Sequence, residues 1–343
     1  MGSILVTGGC GYIGLHTIVD LLQSNFNVTC LDSNIRSDQR SLRGVEKITG
    51  HTINNHKINL CDQQKVASFF EANKDIEGII HFAALKSVPE SVSDPLSYFD
   101  NNINSLLNVL REVKRHKIPY FIFSSSCSVY GDTKELPVTE DTKLLEAQSP
   151  YARTKQICEK IIEDISRSTT DTQFTLLRYF NPAGAHPSGM IGEIPQEGAY
   201  NVVPILIESY HKIRGTFSVT GDDHDTRDGT CVRDYIHVMD LANAHTKCLE
   251  YMMRDTNTKS LDIFNVGTGN GVTVLELINA FRQVVDQPFD FGIGPRRDGD
   301  VSAIYSDYSK AKEQLGWSPT YTVDDIMQTA WKWDQFTDKY HEE

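Results

Sequence analysis

The sequence predicts an α/β protein built on a doubly wound parallel sheet, with a smaller mixed α/β domain at its C-terminal end. Three observations predict it. Short, nearly all-apolar runs alternate with stretches of helical spacing through the first half of the chain. A glycine-rich turn joins the first apolar run to the first helical stretch. Beyond residue 180 the texture shifts to turn formers and mixed segments.

In order, the expected strands are Ile4–Val6, Val28–Leu31, Lys57–Leu60, Gly78–Phe82, Tyr120–Phe123 and Phe174–Leu177. Between most of them, apolar residues recur at helical spacing over Ile13–Leu22, Val66–Phe70, Ile103–Val113 and Ile157–Ile165. Strands apolar on both faces belong to a parallel sheet covered on both sides, whose ligand lies beyond the C-terminal strand ends. Residues 1–180 are therefore read as the first domain. Asn181-Pro182-Ala183-Gly184-Ala185-His186-Pro187-Ser188-Gly189 opens the second, 181–343, with helices expected over Ile205–Ile213, Leu241–Met252 and Val274–Val285. That domain is expected to cap the strand ends, and its later segments can return to pack on the first.

Composition narrows the class. In 343 residues, 39% are hydrophobic and 23% charged, which is globular rather than disordered. The net charge of −13 excludes general nucleic-acid binding, which needs a basic face. An anionic ligand stays allowed where positive groups concentrate locally. The seven cysteines come no closer than 17 residues apart, so no zinc-type pairing exists, and scattered reduced thiols are expected. No apolar run approaches the ~18 residues of a membrane span. The start lacks a basic, then apolar, leader, and Val6 stands where myristoylation needs Ser or Thr. The expectation is a cytoplasmic protein without metal, membrane or nucleic acid.

Three motifs carry chemistry. In Thr7-Gly8-Gly9-Cys10-Gly11-Tyr12-Ile13-Gly14, glycines 8, 11 and 14 permit a tight turn and close approach to a pyrophosphate at a helix N-terminus, as in a Rossmann-type dinucleotide site, although glycines also serve ordinary turns. Asp32, 18 residues on, ends the second strand, where a carboxylate accepts from ribose hydroxyls and favours NAD over NADP. Ser124-Ser125-Ser126 closes the fifth strand, and Tyr151 and Lys155 share one face of the helix after Ser149-Pro150. A phenol of pKa ~10 becomes a base near neutrality only with about 4 kcal/mol of help, which an ammonium and a nicotinamide cation could supply. Alone, a Tyr–Lys pair at this spacing is more often a surface pair.

Together, in this order and on these elements, the motifs resemble the extended short-chain dehydrogenase/reductase family. Within it, His81-Phe82-Ala83-Ala84-Leu85-Lys86, Tyr98-Phe99-Asp100-Asn101-Asn102, Leu177-Arg178-Tyr179-Phe180-Asn181-Pro182, the stretch Asp228 to Leu241 and Arg296-Arg297-Asp298-Gly299-Asp300 are similar to the sugar-nucleotide 4-epimerases, from about Ser3 to Trp333. The resemblance implies interconversion of UDP-galactose and UDP-glucose with tightly bound NAD, in a homodimer. It makes Tyr151 the base, Lys155 its electrostatic partner and Ser126 the bridging hydroxyl. Gly8, Gly11, Tyr12, Ile13, Gly14, Asp32, Asn34, Asn59, Leu60, Phe82, Ala83, Leu85, Lys86, Asn101 and Phe180 would join Tyr151 and Lys155 at the cofactor. Ser126, Asn181, Asn201, Val202, Arg233, Arg297, Asp300 and Ile304 would meet the UDP-sugar.

There are departures: Asn59 where Asp is usual, Ala84 for Gly, Ser33 for Asn, and Tyr200-Asn201-Val202 for Asn-Asn-Leu. Ile304 stands at the wall that admits or rejects an N-acetylated sugar, intermediate between the Tyr and Cys of relatives. A UDP-N-acetylglucosamine 4-epimerase is therefore the nearest alternative. A 4,6-dehydratase would need an acid–base pair after Ser126, where Cys127 and Ser128 stand. A non-catalytic NAD sensor would have no use for Ser126, Tyr151 and Lys155 together.

Overall fold

The computed structural model describes residues 2–194, 198–254, 259–296 and 300–337. Its strands are β1 (Ser3–Thr7), β2 (Asn27–Leu31), β3 (Asn55–His56), β4 (Ile76–His81), β5 (Tyr120–Ser126), β6 (Gln173–Tyr179), β7 (Asn181–Ala183), β8 (Phe217–Thr220), β9 (Val232–His237), β10 (Leu261–Val266), β11 (Gly271–Thr273), β12 (Phe291–Gly294) and β13 (Ala303–Ile304). The helices are α1 (Tyr12–Gln23), α2 (Leu42–Thr49), α3 (Gln63–Ala72), α4 (Val88–Ser93), α5 (Pro95–His116), α6 (Pro150–Ser168), α7 (Val202–Tyr210), α8 (Val238–Met252), α9 (Val274–Arg282), α10 (Ser309–Leu315) and α11 (Val323–Thr337). No described helix is long and apolar enough to cross a membrane.

Seven parallel strands form the main sheet in the order β10-β6-β5-β4-β1-β2-β3. The strand order reverses between β1 and β4, which opens a crevice at their C-terminal ends. Successive residues of β1 serve opposite cores. Ile4 and Val6 pack with Leu15, Ile18 and Val19 of α1 and Leu241 and Leu249 of α8. Leu5 packs with Val66 and Phe69 of α3, Leu106 and Leu110 of α5, and Ile162 of α6. Two-sided burial is why these strands read as unbroken apolar runs.

One expected strand is displaced. The third pairs through Asn55 and His56 with Cys30 and Leu31, ahead of the predicted Lys57–Leu60. Asn59 there builds a turn instead: its side chain accepts from the Cys61 amide at 2.9 Å and its carbonyl from Asp62 at 2.9 Å. The Leu60 carbonyl is held by the Asn108 amide at 2.7 Å, and the leucine side chain is buried. Local side-chain bonds of this kind compete with ladder pairing.

The chain beyond residue 180 both builds a second layer and returns to the first. β10 adds the seventh strand beside β6, in register Leu261 with Phe174, and α8 packs on α1. The smaller sheet runs β11-β9-β13, with β7 also on β9, and β8 pairs with β12. Its core joins Leu206 of α7, Tyr235 of β9, Leu277 and Phe281 of α9, and Ile326 and Met327 of α11. The expected helix at Ile205–Ile213 begins earlier, at Val202, with Asn201 at the N-cap position making no side-chain cap bond.

Candidate active site

The glycine turn leaves β1 and enters α1 without a side-chain cap: Gly11 occupies the N-cap position and makes no such bond. Helices α3, α4, α5 and α6 are all capped by Asp or Ser. The first amides of α1 are thus left for an anionic ligand. Space around the turn is reserved for backbone. Gly8 has φ +70°, and a Cβ there would meet the Ala83 nitrogen at 2.9 Å. A Cβ on Gly14 would stand 2.4 Å from the Gly8 carbonyl oxygen. Tyr12 and Ile13 open α1, with the Tyr12 hydroxyl donating to the Gly184 carbonyl at 2.6 Å.

At the end of β2, Asp32 is fixed by its own surroundings. Its carboxylate accepts from the Cys10 amide at 3.1 Å, the Asn34 amide at 2.8 Å and the Ser37 hydroxyl at 2.8 Å. The bond to Cys10 ties the carboxylate directly to the glycine turn. Phe82, Ala83, Leu85 and Lys86 follow β4 on the other side of the crevice, and Asn101 lies on α5. These glycines, amides and the placed carboxylate fit a dinucleotide.

Ser126, Tyr151 and Lys155 meet at the end of β5. Lys155 is buried and donates to the Ser124 carbonyl at 2.6 Å. Its ammonium lies 4.8 Å from the Phe123 ring centroid and 5.9 Å from that of Tyr151. Burial lowers the Lys155 pKa to about 8, with Cys158 and Glu159 pulling the other way. Burial pushes Tyr151 up to about 12, against a downward pull from the Ser126 hydroxyl. In the protein alone, then, the ammonium does not make Tyr151 a tyrosinate at neutral pH. Desolvation is the largest influence on the phenol. Behind the site, burial and Lys155 together drop His81 to about 3, so its imidazole is neutral, bonded to Thr7 at 2.9 Å.

Phe180 and Asn181 leave β6 opposite Ser126. The Asn181 side-chain oxygen is buried with no hydrogen-bond partner among the described residues. From the second layer, Arg233 on β9 pairs with Asp300 at 3.0 Å, and Ile304 on β13 stands in register with Arg233. Ile304 is buried with Phe180, Val129, Tyr130 and Val138. Asn201 and Val202 stand at the start of α7. Arg297 lies outside the described residues.

Several residues that hold this arrangement were not singled out from the sequence. Asn102, beside Asn101, clamps Leu85 by both its amide (2.8 Å) and carbonyl (3.0 Å), and donates to Thr154 on α6 at 3.1 Å. Asp234, fully buried beside Arg233, accepts from Thr268, Gly269 and Ser306 and locks β9 to β13. Nothing in a single sequence separates Asn102 from Asn101 or Asp234 from any strand carboxylate. Their partners are set by tertiary contact.

The fold and the Ser–Tyr–Lys geometry define an NAD-dependent extended short-chain dehydrogenase/reductase. A family model described as GDP-mannose 4,6 dehydratase matches residues 5–330. The UDP-glucose 4-epimerase of Dictyostelium discoideum is 40% identical over 330 residues, 96% of this chain and 95% of that protein. That of Pasteurella multocida is 41% identical over 333 residues, 97% of each chain. The crystal structure of the UDP-glucose 4-epimerase from Bifidobacterium longum in complex with NAD+ and UDP superposes with a TM-score of 0.93, at 39% identity, covering 98% of this chain and 99% of that one. The chain belongs to the UDP-glucose 4-epimerase family.

Proposed function

We propose that the protein interconverts UDP-galactose and UDP-glucose by oxidising and re-reducing the sugar at C4. The observation that carries this reading is the convergence of Ser126, Tyr151 and Lys155 on the crevice beside an uncapped glycine turn. Bound NAD+ supplies the hydride acceptance and return at C4. Tyr151 removes the proton of the 4-hydroxyl, directly or through Ser126, and returns it to O4 once the other face of C4 has taken the hydride back. Lys155, anchored on Ser124, stabilises the developing phenolate and holds the nicotinamide ribose.

Epimerisation asks for a firm hold on UDP and a loose one on the hexose, so that the 4-keto sugar can turn over. Arg233 and Arg297 supply forked donors to the diphosphate, and the pairing of Arg233 with Asp300 fixes its head. Asn181, with its open acceptor, and Asn201 and Val202 at the head of α7 complete the nucleotide side. The remaining cofactor contacts fall to Asp32, Asn34, Asn59, Leu60, Phe82, Ala83, Leu85, Lys86, Asn101 and Phe180. Elimination, as in a 4,6-dehydratase, would need a carboxylate pair after Ser126, and Cys127 and Ser128 stand there.

The reading extends to a cytoplasmic homodimer in which α5 and α6, packed side by side, face their partner copies. The test of function is product analysis after mixing purified protein with UDP-galactose and no added cofactor. UDP-glucose is the expected product. If UDP-galactose persists even with NAD added, the assignment fails. A parallel arm with UDP-N-acetylglucosamine reads how the wall at Ile304 limits the sugar.

A further inference from the structure

The loop that follows β7 crosses from the second layer onto the glycine turn. Gly184 accepts from Tyr12, and Met190 and Ile191 pack so closely on α2 that a Cβ at Gly44 would stand 2.4 Å from Ile191. Gly192 lies flat on the Trp333 indole, where a Cβ would come within 2.4 Å of the ring. The indole NH donates to the Glu193 carbonyl at 3.0 Å. Glu193 is thereby delivered to one place. One of its oxygens accepts from Lys86 at 3.1 Å and from Asn201 at 2.6 Å. Its side chain is only 16% exposed, against 59% for Lys86. Burial, with the Glu193 charge adding to it, raises the Tyr12 hydroxyl well above its ordinary pKa.

Lys86 follows the strand on one side of the crevice and Asn201 heads the helix on the other, and the proposed function gives the first to the cofactor and the second to the substrate. One carboxylate therefore bridges both sides across the mouth of the dinucleotide cleft. We propose that Glu193 is a positioning residue that closes this cleft over NAD and ties cofactor retention to occupation of the substrate site. The proposal rests on the reading of the cleft as an NAD and UDP-sugar site. A uridine nucleotide filling the substrate side excludes water from the bridge, which strengthens an ion pair that is half open to solvent. Cofactor should then leave more slowly when the nucleotide is present.

The test uses the intact protein loaded with NAD. Protein-bound NAD is measured over time after dilution and gel filtration, with and without saturating UMP, at low and high salt. The variants are Glu193→Gln, which keeps size and one hydrogen bond, and Glu193→Asp. In the native protein, loss should slow with UMP and quicken with salt. Glu193→Gln should lose NAD about five- to tenfold faster, the worth of one charge-assisted hydrogen bond, and lose both the UMP and the salt effects. Glu193→Asp should restore part of the salt effect, which a merely structural role would not. Equal NAD loss in native protein and Glu193→Gln, or an intact UMP effect in that variant, overturns the proposal. Native protein that neither carries nor takes up NAD overturns instead the reading of the cleft on which it rests.

Discussion

At the scale of single residues, the site holds a phenol and an ammonium whose acidities are both displaced by burial. Tyr151 stands at about 12 and Lys155 at about 8. The lysine is therefore charged below pH 8, and under the proposed function the tyrosine would need that charge, together with the nicotinamide cation, to ionise during turnover. Replacing Lys155 by Met should lower kcat by about 10²- to 10⁴-fold and move the pH optimum upward, toward the unassisted phenol. A pH–rate profile of the variant checks this, and an unchanged optimum would remove Lys155 from the role. Asn102 makes a different kind of contribution. In Asn102→Ala the Leu85 amide is left unsatisfied and the tie to Thr154 is cut, so stability should fall by about 1–3 kcal/mol, read by urea unfolding. The Tyr–Lys spacing and the serine run could be read in the sequence because their chemistry depends on residue type at short separation. Asn102, Asp234 and Glu193 could not, because each acquires its partners from segments far away in the chain.

At the scale of elements, the glycine turn is the tightest constraint. Gly14→Ala would drive a methyl into the Gly8 carbonyl 2.4 Å away, so the turn must open. The expected result is protein that still folds, weakened by about 1–3 kcal/mol, and that retains much less NAD after gel filtration. Retention equal to the native protein would mean that the turn is not the pyrophosphate cradle. The alternation of strand and helix was legible through this half of the chain because every strand from β1 to β6 except β3 is apolar on both faces. β3 was misplaced because Asn59 turns the backbone before the apolar run can pair. The short strands of the second layer escaped a periodicity reading for a simpler reason: β7, β11 and β13 span two or three residues each, too few to show a period.

At the scale of the molecule, four buried histidines contribute to pH dependence together. Burial lowers His16 and His81 to about 3 and His237 and His245 to about 4. Each stays neutral in the fold, while the unfolded chain takes up a proton below about pH 6.5. The stability they contribute is therefore complete above pH 6.5 and is lost as the pH falls toward 4 and 3, at up to ~1.4 kcal/mol per pH unit for each histidine. The thermal midpoint should drop steeply from pH 6.5 to 4.5, and less steeply in His245→Gln. The return of β10 to the sheet edge is the main architectural feature that local patterns did not place, since nothing short-range distinguishes a seventh strand from one in the second layer.

Under the proposed mechanism the sugar is oxidised and reduced at one carbon without its hydrogen leaving the site. This is tested most directly with UDP-galactose carrying deuterium at C4, incubated with the protein in ordinary water and analysed by mass spectrometry and NMR. The expected product is UDP-glucose that keeps the deuterium at C4, with almost none of it formed by Tyr151→Phe. Product in which the label has been replaced by solvent hydrogen would rule out return of the same hydrogen to C4, and full conversion by the phenylalanine variant would rule out Tyr151 as the base.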